Sequence, residues 1–155
     1  MNNKPVPVTP VAIRYGLFLG AALIAFFLIM RVISLYQMVE LSFLNDIIRV
    51  IFIVMAIKAY KSMRGGHINY LPGLGLGALV SLVGSVIIGL FMFIYSSLID
   101  QDFLNNVNFE EYFGYDLSPF MLFWHVTIWG AGIGIILSFI AMQFYKSPDH
   151  KLSNE

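Results

Sequence analysis

Residues 68–99 read INYLPGLGLGALVSLVGSVIIGLFMFIYSSLI, and no side chain in this stretch carries a charge. An apolar run of this kind predicts a transmembrane helix, because ~20 residues at ~1.5 Å each cross the hydrocarbon core of a bilayer. Helices in lipid have no hydrophobic drive to associate, and they approach one another along small side chains instead. The small residues here recur at every fourth position: Gly73, Gly77, Ser81, Ser85 and Gly89. We therefore predict a transmembrane helix with a helix-packing ladder along these five residues, against which the other helices pack.

The composition of the whole chain agrees with a membrane protein. Of its 155 residues, 59% are hydrophobic and 12% are charged, whereas a soluble domain is nearer half apolar and a quarter charged. The formal net charge is zero, so bulk charge does not indicate a nucleic-acid partner. The absence of cysteine excludes disulfides and thiolate metal sites. The partner that the composition predicts is the lipid bilayer.

Four apolar segments follow one another along the chain, and turn-forming or polar residues separate them. We predict that Thr9 caps the first helix with Pro10 at its first position, and that Ser118 caps the last helix. The predicted fold is all-α, an integral membrane four-helix transmembrane bundle. Its parts are a flexible N-terminal tail at 1–10, a single four-span domain at 11–146 with spans at about 12–36, 44–61, 70–99 and 119–145, and a C-terminal tail at 147–155.

The placement of Lys and Arg predicts the orientation. Lys58, Lys61 and Arg64 follow one another near the connection between the second and third spans, whereas the connection at 100–116 holds acidic residues and no Lys or Arg. Basic connections stay on the cytoplasmic side of a membrane. We therefore expect the cell inner (cytoplasmic) membrane as the location, with both termini cytoplasmic. Arg31, near the other end of the first span, opposes this orientation.

Three ionisable residues form the candidate site. Asp46 and Arg49 are three apart on one helical face and can pair, and His125 in the fourth span is expected at a similar depth in the outer half. Ionisable groups inside a bilayer are costly and indicate function by default, so these residues are candidates for a proton or solute path. We favour the alternative, in which Arg49 pairs with Asp46 and extends toward the membrane surface, and His125 forms a hydrogen bond with a serine.

Other site chemistry is not indicated. The three histidines, His67, His125 and His150, are expected in the cytoplasmic turn, the membrane and the C-terminal tail, so they cannot converge on a metal ion. The glycines at 73, 75 and 77 are followed by Ala78 and Leu79, whereas a phosphate-binding loop needs Lys and Ser or Thr there. We predict no catalytic residue, metal or cofactor, and no enzyme activity.

Several short motifs resemble a known family. They are Tyr15-Gly16 with Gly20, Ile57-Lys58-x-Tyr60-Lys61, Gly65-Gly66-x-Ile68, the glycine-rich start of the third span, and Ile99-Asp100-x-Asp102-Phe103. The chain resembles, over roughly residues 12–146, a family of small four-span bacterial inner-membrane proteins catalogued as a domain of unknown function. The resemblance implies four spans and an inner-membrane location, and it supplies no catalytic residue, cofactor or substrate.

Two classes of function remain open. In the first, the protein is a structural or accessory membrane component that packs against a second copy of itself or another membrane protein, as the small-residue ladder suggests. In the second, it is an oligomeric small-solute or proton-coupled transporter or channel that uses Asp46, Arg49 and His125. One four-span protomer is too thin to surround a wide path, so the second class requires self-association.

Overall fold

The computed structural model describes residues 7–33, 43–101, 103–106 and 118–145. The described residues contain no strand, and the predicted all-α helical bundle is confirmed. The N-terminal tail up to residue 6, the end of the first predicted span at 34–36, most of the acidic connection and the C-terminal tail lie outside the described residues. The elements are α1 (Val8–Val32), α2 (Phe43–Met63), α3 (Tyr70–Ile94, continued by a π-helical turn at Tyr95–Ile99), α4 (Phe103–Asn106) and α5 (Pro119–Tyr145).

The helix starts agree with the prediction at α5 and differ from it at α1. Ser118 caps α5, because its Oγ accepts a hydrogen bond of 3.2 Å from the Met121 N–H. The Thr9 cap is wrong: α1 begins at Val8, its N-cap is Pro7 in an extended conformation, and no side chain caps it. Pro10 lies in the first turn, where a backbone N–H has no partner within the helix, so proline is tolerated there.

The turn between α2 and α3 is fixed by two glycines. Gly65 and Gly66 have φ angles of 66° and 88°, in the left-handed region that other residues seldom adopt. The Gly66 N–H donates to the carbonyl of Lys61 over 2.9 Å, which satisfies one of the free carbonyls at the end of α2. The turn sends α3 back antiparallel to α2.

Helix α3 occupies the centre of the bundle. It packs most extensively against α5 and next against α1, while α2 contacts α1, α3 and α5. Close approach of α1 and α3 depends on small residues of α1: a Cβ at Gly16 would lie 2.6 Å from Val83 Cβ, and one at Gly20 would lie 2.7 Å from Ile87 Cγ2. The uncharged stretch that the sequence singles out is therefore the element around which the others are arranged.

The outer surface of the bundle is apolar. Leu71, Ile128, Trp129 and Phe144 are each more than half exposed, and many other large apolar side chains point outward with them. Three helices are long and apolar enough to cross a membrane: α1, α3 with its π-helical turn, and α5. Helix α2 is not among them, because it carries Asp46, Arg49, Lys58 and Lys61. Length and composition thus support a helical membrane bundle with three such helices, one fewer than the four predicted spans.

Candidate functional site

All five ladder residues lie on the buried side of α3, and four of them face small residues or Thr127 of α5. The first three steps of four residues along α3 are each matched by a step of four residues back along α5, and the last is matched by a step of three, so the two helices remain in register over four turns. We call this contact the glycine–serine seam. Its pairs are Gly73 with Met142, Gly77 with Ser138, Ser81 with Gly134, Ser85 with Gly130, and Gly89 with Thr127.

The glycines and serines of the seam are complementary. At each of its three central levels a serine of one helix faces a glycine of the other, so the hydroxyl fills the space that the missing Cβ leaves. Ser81 donates a hydrogen bond of 3.0 Å to the carbonyl of Gly130, and Ser138 donates one of 3.0 Å to the carbonyl of Leu74. Close packing and hydrogen bonds between helices are the interactions that hold bundles together in lipid.

Arg49 enters the bundle beside Ser85 of the seam, where α2 meets α3 and α5. It is only 5% exposed. Its Nη1 donates to Asp46 Oδ1 over 3.2 Å, and its Nη2 donates to Ser85 Oγ over 3.4 Å. A Cβ on Gly130 would lie 2.7 Å from Arg49 Nη2, so the glycine at position 130 is what admits the guanidinium. The structure thus brings Asp46 and Arg49 together, as their spacing predicts.

Thr127 is a further polar residue of this interface, and sequence reasoning did not single it out. It is 6% exposed and lies one helical turn from Gly130 on the same face of α5. Among the buried side-chain polar atoms of the described residues, Arg49 Nε and Thr127 Oγ1 have no hydrogen-bond partner. A threonine within an apolar helix carries no sequence signal by itself, and its position beside a buried arginine follows only from the helix register.

His125 lies on a different part of α5. Its ring stacks on Trp129 with the centroids 6.2 Å apart and the planes at 6°, and Trp129 is largely exposed. The face of α5 next to Arg49 contains Gly130 instead, and Thr127 lies one turn before Gly130 on that face. The three predicted site residues therefore separate into a pair, Asp46 and Arg49, and an imidazole stacked on an aromatic ring.

A comparison with known protein families identifies the family of this chain. The model of a family described as "Protein of unknown function (DUF4199)" matches residues 14–111, which is more than half of the chain. The chain belongs to the DUF4199 family. The resemblance found from the short motifs is confirmed as far as a family catalogued as a domain of unknown function, and the match ends at residue 111 and not near residue 146. Neither a curated protein nor a solved structure matches this chain.

The DUF4199 match divides the candidate site. It contains α1 from residue 14 onward, α2 and α3, and so it includes Asp46, Arg49 and Ser85, but it ends before α5. Thr127 and Gly130 therefore complete the surroundings of Arg49 from outside the matched segment. No group of three His, Asp or Glu side chains within the described part of this DUF4199 protein is placed to hold a metal ion.

The C-terminal ends of α1 and α3 are joined by an ion pair that lies within the DUF4199 match. Arg31 Nη2 lies 2.5 Å from Asp100 Oδ2, and Arg31 Nε donates to the Tyr95 hydroxyl over 2.9 Å. The π-helical turn before Asp100 sets the position of this carboxylate, and the Asp100 N–H donates to the carbonyl of Tyr95 over 2.9 Å. The carboxylate neutralises Arg31, the one basic residue that opposes the predicted orientation.

The opposite end of the bundle carries the basic residues of α2. Lys61 Nζ donates to the carbonyl of Tyr145 over 3.1 Å, at the last residue of α5. Lys58 Nζ lies 5.7 Å from the centre of the Tyr145 ring. A cation near the C-terminus of a helix is favourable because the carbonyls there are partly negative. These lysines tie the end of α2 to the end of α5.

Proposed function

We propose that this DUF4199 protein is a four-span integral membrane protein with a structural or accessory role in the cell inner membrane, with both termini cytoplasmic. The observation that carries the role is the glycine–serine seam. Two of its serines, Ser81 and Ser138, donate to carbonyls of the opposite helix and are wholly buried. These interior polar groups join helices to one another, as expected of a bundle whose interior serves packing.

The placement of the charges on α2 supports a fourth span. Helix α2 has 21 residues, and at ~1.5 Å per residue this gives about 30 Å, the thickness of the hydrocarbon core. The outward positions Ile47, Val50, Ile51 and Met55 are apolar and exposed. Arg49 is turned into the bundle, and Lys61 is held at the end of α5. The charged residues that keep α2 from qualifying as a membrane span by composition are thus directed away from the middle of the lipid-facing surface.

A partner in the membrane has to use a surface other than the ladder, because the ladder faces inward. Gly75 and Gly132 are the glycines of α3 and α5 that have no atom within 4 Å of a Cβ position, so they leave the outer surface locally flat. Flat surfaces of small residues suit contact between membrane helices. Self-association or binding to another membrane protein is therefore proposed for the outer faces of α3 and α5.

The topology is testable by cysteine labelling, and the natural chain has no cysteine. Single variants Phe43→Cys, His67→Cys and Gln101→Cys place a thiol before α2, after α2 and after α3. In intact cells, an impermeant maleimide should label positions 43 and 101 and should reach position 67 only after the membrane is opened. The same labelling of positions 43 and 67 would show that α2 does not span. Labelling of position 67 without labelling of position 43 in intact cells would reverse the proposed orientation.

The alternative function is an oligomeric transporter or channel for a small solute or protons, and it is favoured by the buried guanidinium of Arg49. A double variant, Arg49→Leu with His125→Leu, separates the two proposals. If the role is structural, the double variant should accumulate to the normal level and should complement a strain from which the gene has been deleted. If the protein is a transporter, the double variant should fold but should fail to complement the deletion strain, because the polar groups of the path are gone. Gly132→Leu, on the outer face of α5, serves as the matched control, because it alters the proposed association surface and leaves Arg49 and His125 in place.

A further inference from the structure

We propose that the interface of α2, α3 and α5 binds one small monovalent anion between the guanidinium of Arg49 and the hydroxyl of Thr127. The site goes beyond the structural role proposed above, and neither depends on the other. Its components are a buried cation with an unpartnered N–H at Nε, a buried hydroxyl with no partner among the described residues, and two glycines, Gly130 and Gly89, that let Arg49 approach α5 and Thr127 approach α3.

The free donors of Arg49 lie on the edge that binds anions. In a guanidinium, the N–H of Nε and one N–H of Nη2 point in the same direction, and this edge takes both oxygens in side-on pairs with carboxylates. Asp46 accepts from Nη1, at the other end of the group, over 3.2 Å. On the side-on edge Nη2 has only Ser85 Oγ at 3.4 Å, and Nε has no partner among the described residues.

Thr127 supplies a further donor near this edge. Its hydroxyl is buried without a hydrogen-bond partner among the described residues, and it lies one turn along α5 from Gly130, which touches the guanidinium. Residues three apart on a helix share a face, so Thr127 and Arg49 line the same part of the interface. A buried donor with no acceptor is costly, and one acceptor between the two residues would satisfy both.

The charges favour an anion over a neutral acceptor. The Asp46 side chain is 37% exposed at the start of α2, so solvent and headgroups screen its charge and only part of it balances Arg49. A buried cation whose charge is only partly neutralised by its neighbours is stabilised when an anion binds beside it.

The packing restricts the size of the anion. Gly130 and Gly89 already lie close to Arg49 Nη2 and Thr127 Oγ1, at 2.7 Å from the ideal Cβ position in each case. The proposed anion is therefore a single ion or a very small carboxylate, such as chloride or formate.

The test measures thermal unfolding of the purified protein in detergent, with potassium chloride or potassium formate replacing potassium gluconate at constant ionic strength. Gluconate is too large for the interface. We expect a saturable rise in the unfolding temperature with chloride, formate or both. The anion that gives the larger rise identifies whether the site prefers a halide or a carboxylate. Direct binding of radioactive chloride, or of formate where formate is stronger, gives the affinity.

Three variants assign the effect to the site. Thr127→Val keeps the shape of the side chain and removes the hydroxyl, and it should weaken the affinity at least tenfold. Thr127→Ser keeps the hydroxyl and should retain binding. Ser138→Ala removes a hydroxyl elsewhere in the same seam and should leave the anion response unchanged.

Each remaining outcome overturns the proposal. Identical unfolding temperatures in all three salts would show that no anion binds. An anion response that Thr127→Val retains, or that Ser138→Ala also loses, would show a general salt effect on the bundle. None of these results bears on the proposed structural role, which the topology and complementation experiments test separately.

Discussion

Gly77→Leu is expected to destabilise the bundle strongly, whereas Gly75→Leu is expected to leave its stability unchanged. The two glycines lie two residues apart on α3. A Cβ at position 77 would overlap Ser138 and would lie 3.0 Å from Ile53 Cγ2, while a Cβ at position 75 meets no atom within 4 Å. A leucine at 77 would therefore separate α3 from α5 and α2 together, because both neighbours are buried and neither can move aside alone.

The expected difference between the two variants is large. Overpacking a tight interior costs about 1–3 kcal/mol for a few methylenes and occasionally more, and a leucine adds four carbons at a point where even one does not fit. Replacing glycine in a helix gains up to about 1 kcal/mol of helix propensity at either position. We expect Gly77→Leu to lose about 3 kcal/mol or more relative to Gly75→Leu, which is a large part of a typical stability of about 5–15 kcal/mol.

Unfolding in a graded denaturing detergent and size-exclusion chromatography measure this difference. Equal unfolding midpoints for the two variants would show that α3 and α5 do not meet along the seam. A loss of oligomer only in Gly75→Leu, with an unchanged midpoint, would instead place a partner on the outer face of α3.

Asp46→Asn is expected to destabilise the protein, and Arg49→Met is expected to leave its stability unchanged or raise it. Removing one partner of a buried ion pair costs about 3–5 kcal/mol, because the other charge remains buried without a partner. Since the Asp46 side chain is 37% exposed, solvent screening reduces this, and we expect a loss of about 1–3 kcal/mol. Methionine keeps much of the apolar stem of Arg49 and removes the buried charge, which is often neutral or favourable.

The double variant, Asp46→Asn with Arg49→Met, gives the internal control. If Asp46 acts on stability through Arg49, the second change removes the reason for the loss, and the double variant should be about as stable as Arg49→Met alone. A double-mutant cycle of unfolding free energies should then show a coupling of about 1 kcal/mol or more. Additive effects would mean that Asp46 acts independently, for example at the N-terminus of α2.

The sequence was most informative about single helices. Apolar runs predicted the four long helices, Gly65 and Gly66 marked the turn between α2 and α3, and Ser118 marked the start of α5. These features are local, because a helix start, a helix end and a tight turn depend on residues a few positions apart. The Thr9 cap failed for a local reason too, since both Pro7 and Pro10 fit the beginning of a helix and the structure uses the earlier one.

The candidate site was predictable only in part. The spacing of Asp46 and Arg49 predicted their pairing, because both lie on one helix. The expectation that His125 would join a polar group at the same depth considered only its height along α5. The structure stacks His125 on Trp129 and places Gly130, one turn from Thr127, against Arg49. Depth in a membrane follows from sequence position, whereas the direction in which a helix faces depends on its neighbours.

The amino-acid sequence alone determined that this chain forms apolar helices, that small residues recur along one face of the third long helix, and that an Asp–Arg pair lies in the second. The tertiary structure decided which helix fits that face, in what register, and which side chains of α5 surround Arg49. The physical reason is that hydropathy and spacing act within one helix. The register and rotation of two helices depend instead on which side chains of one helix pack into the grooves of the other, as each serine of the seam fills the space left by a glycine.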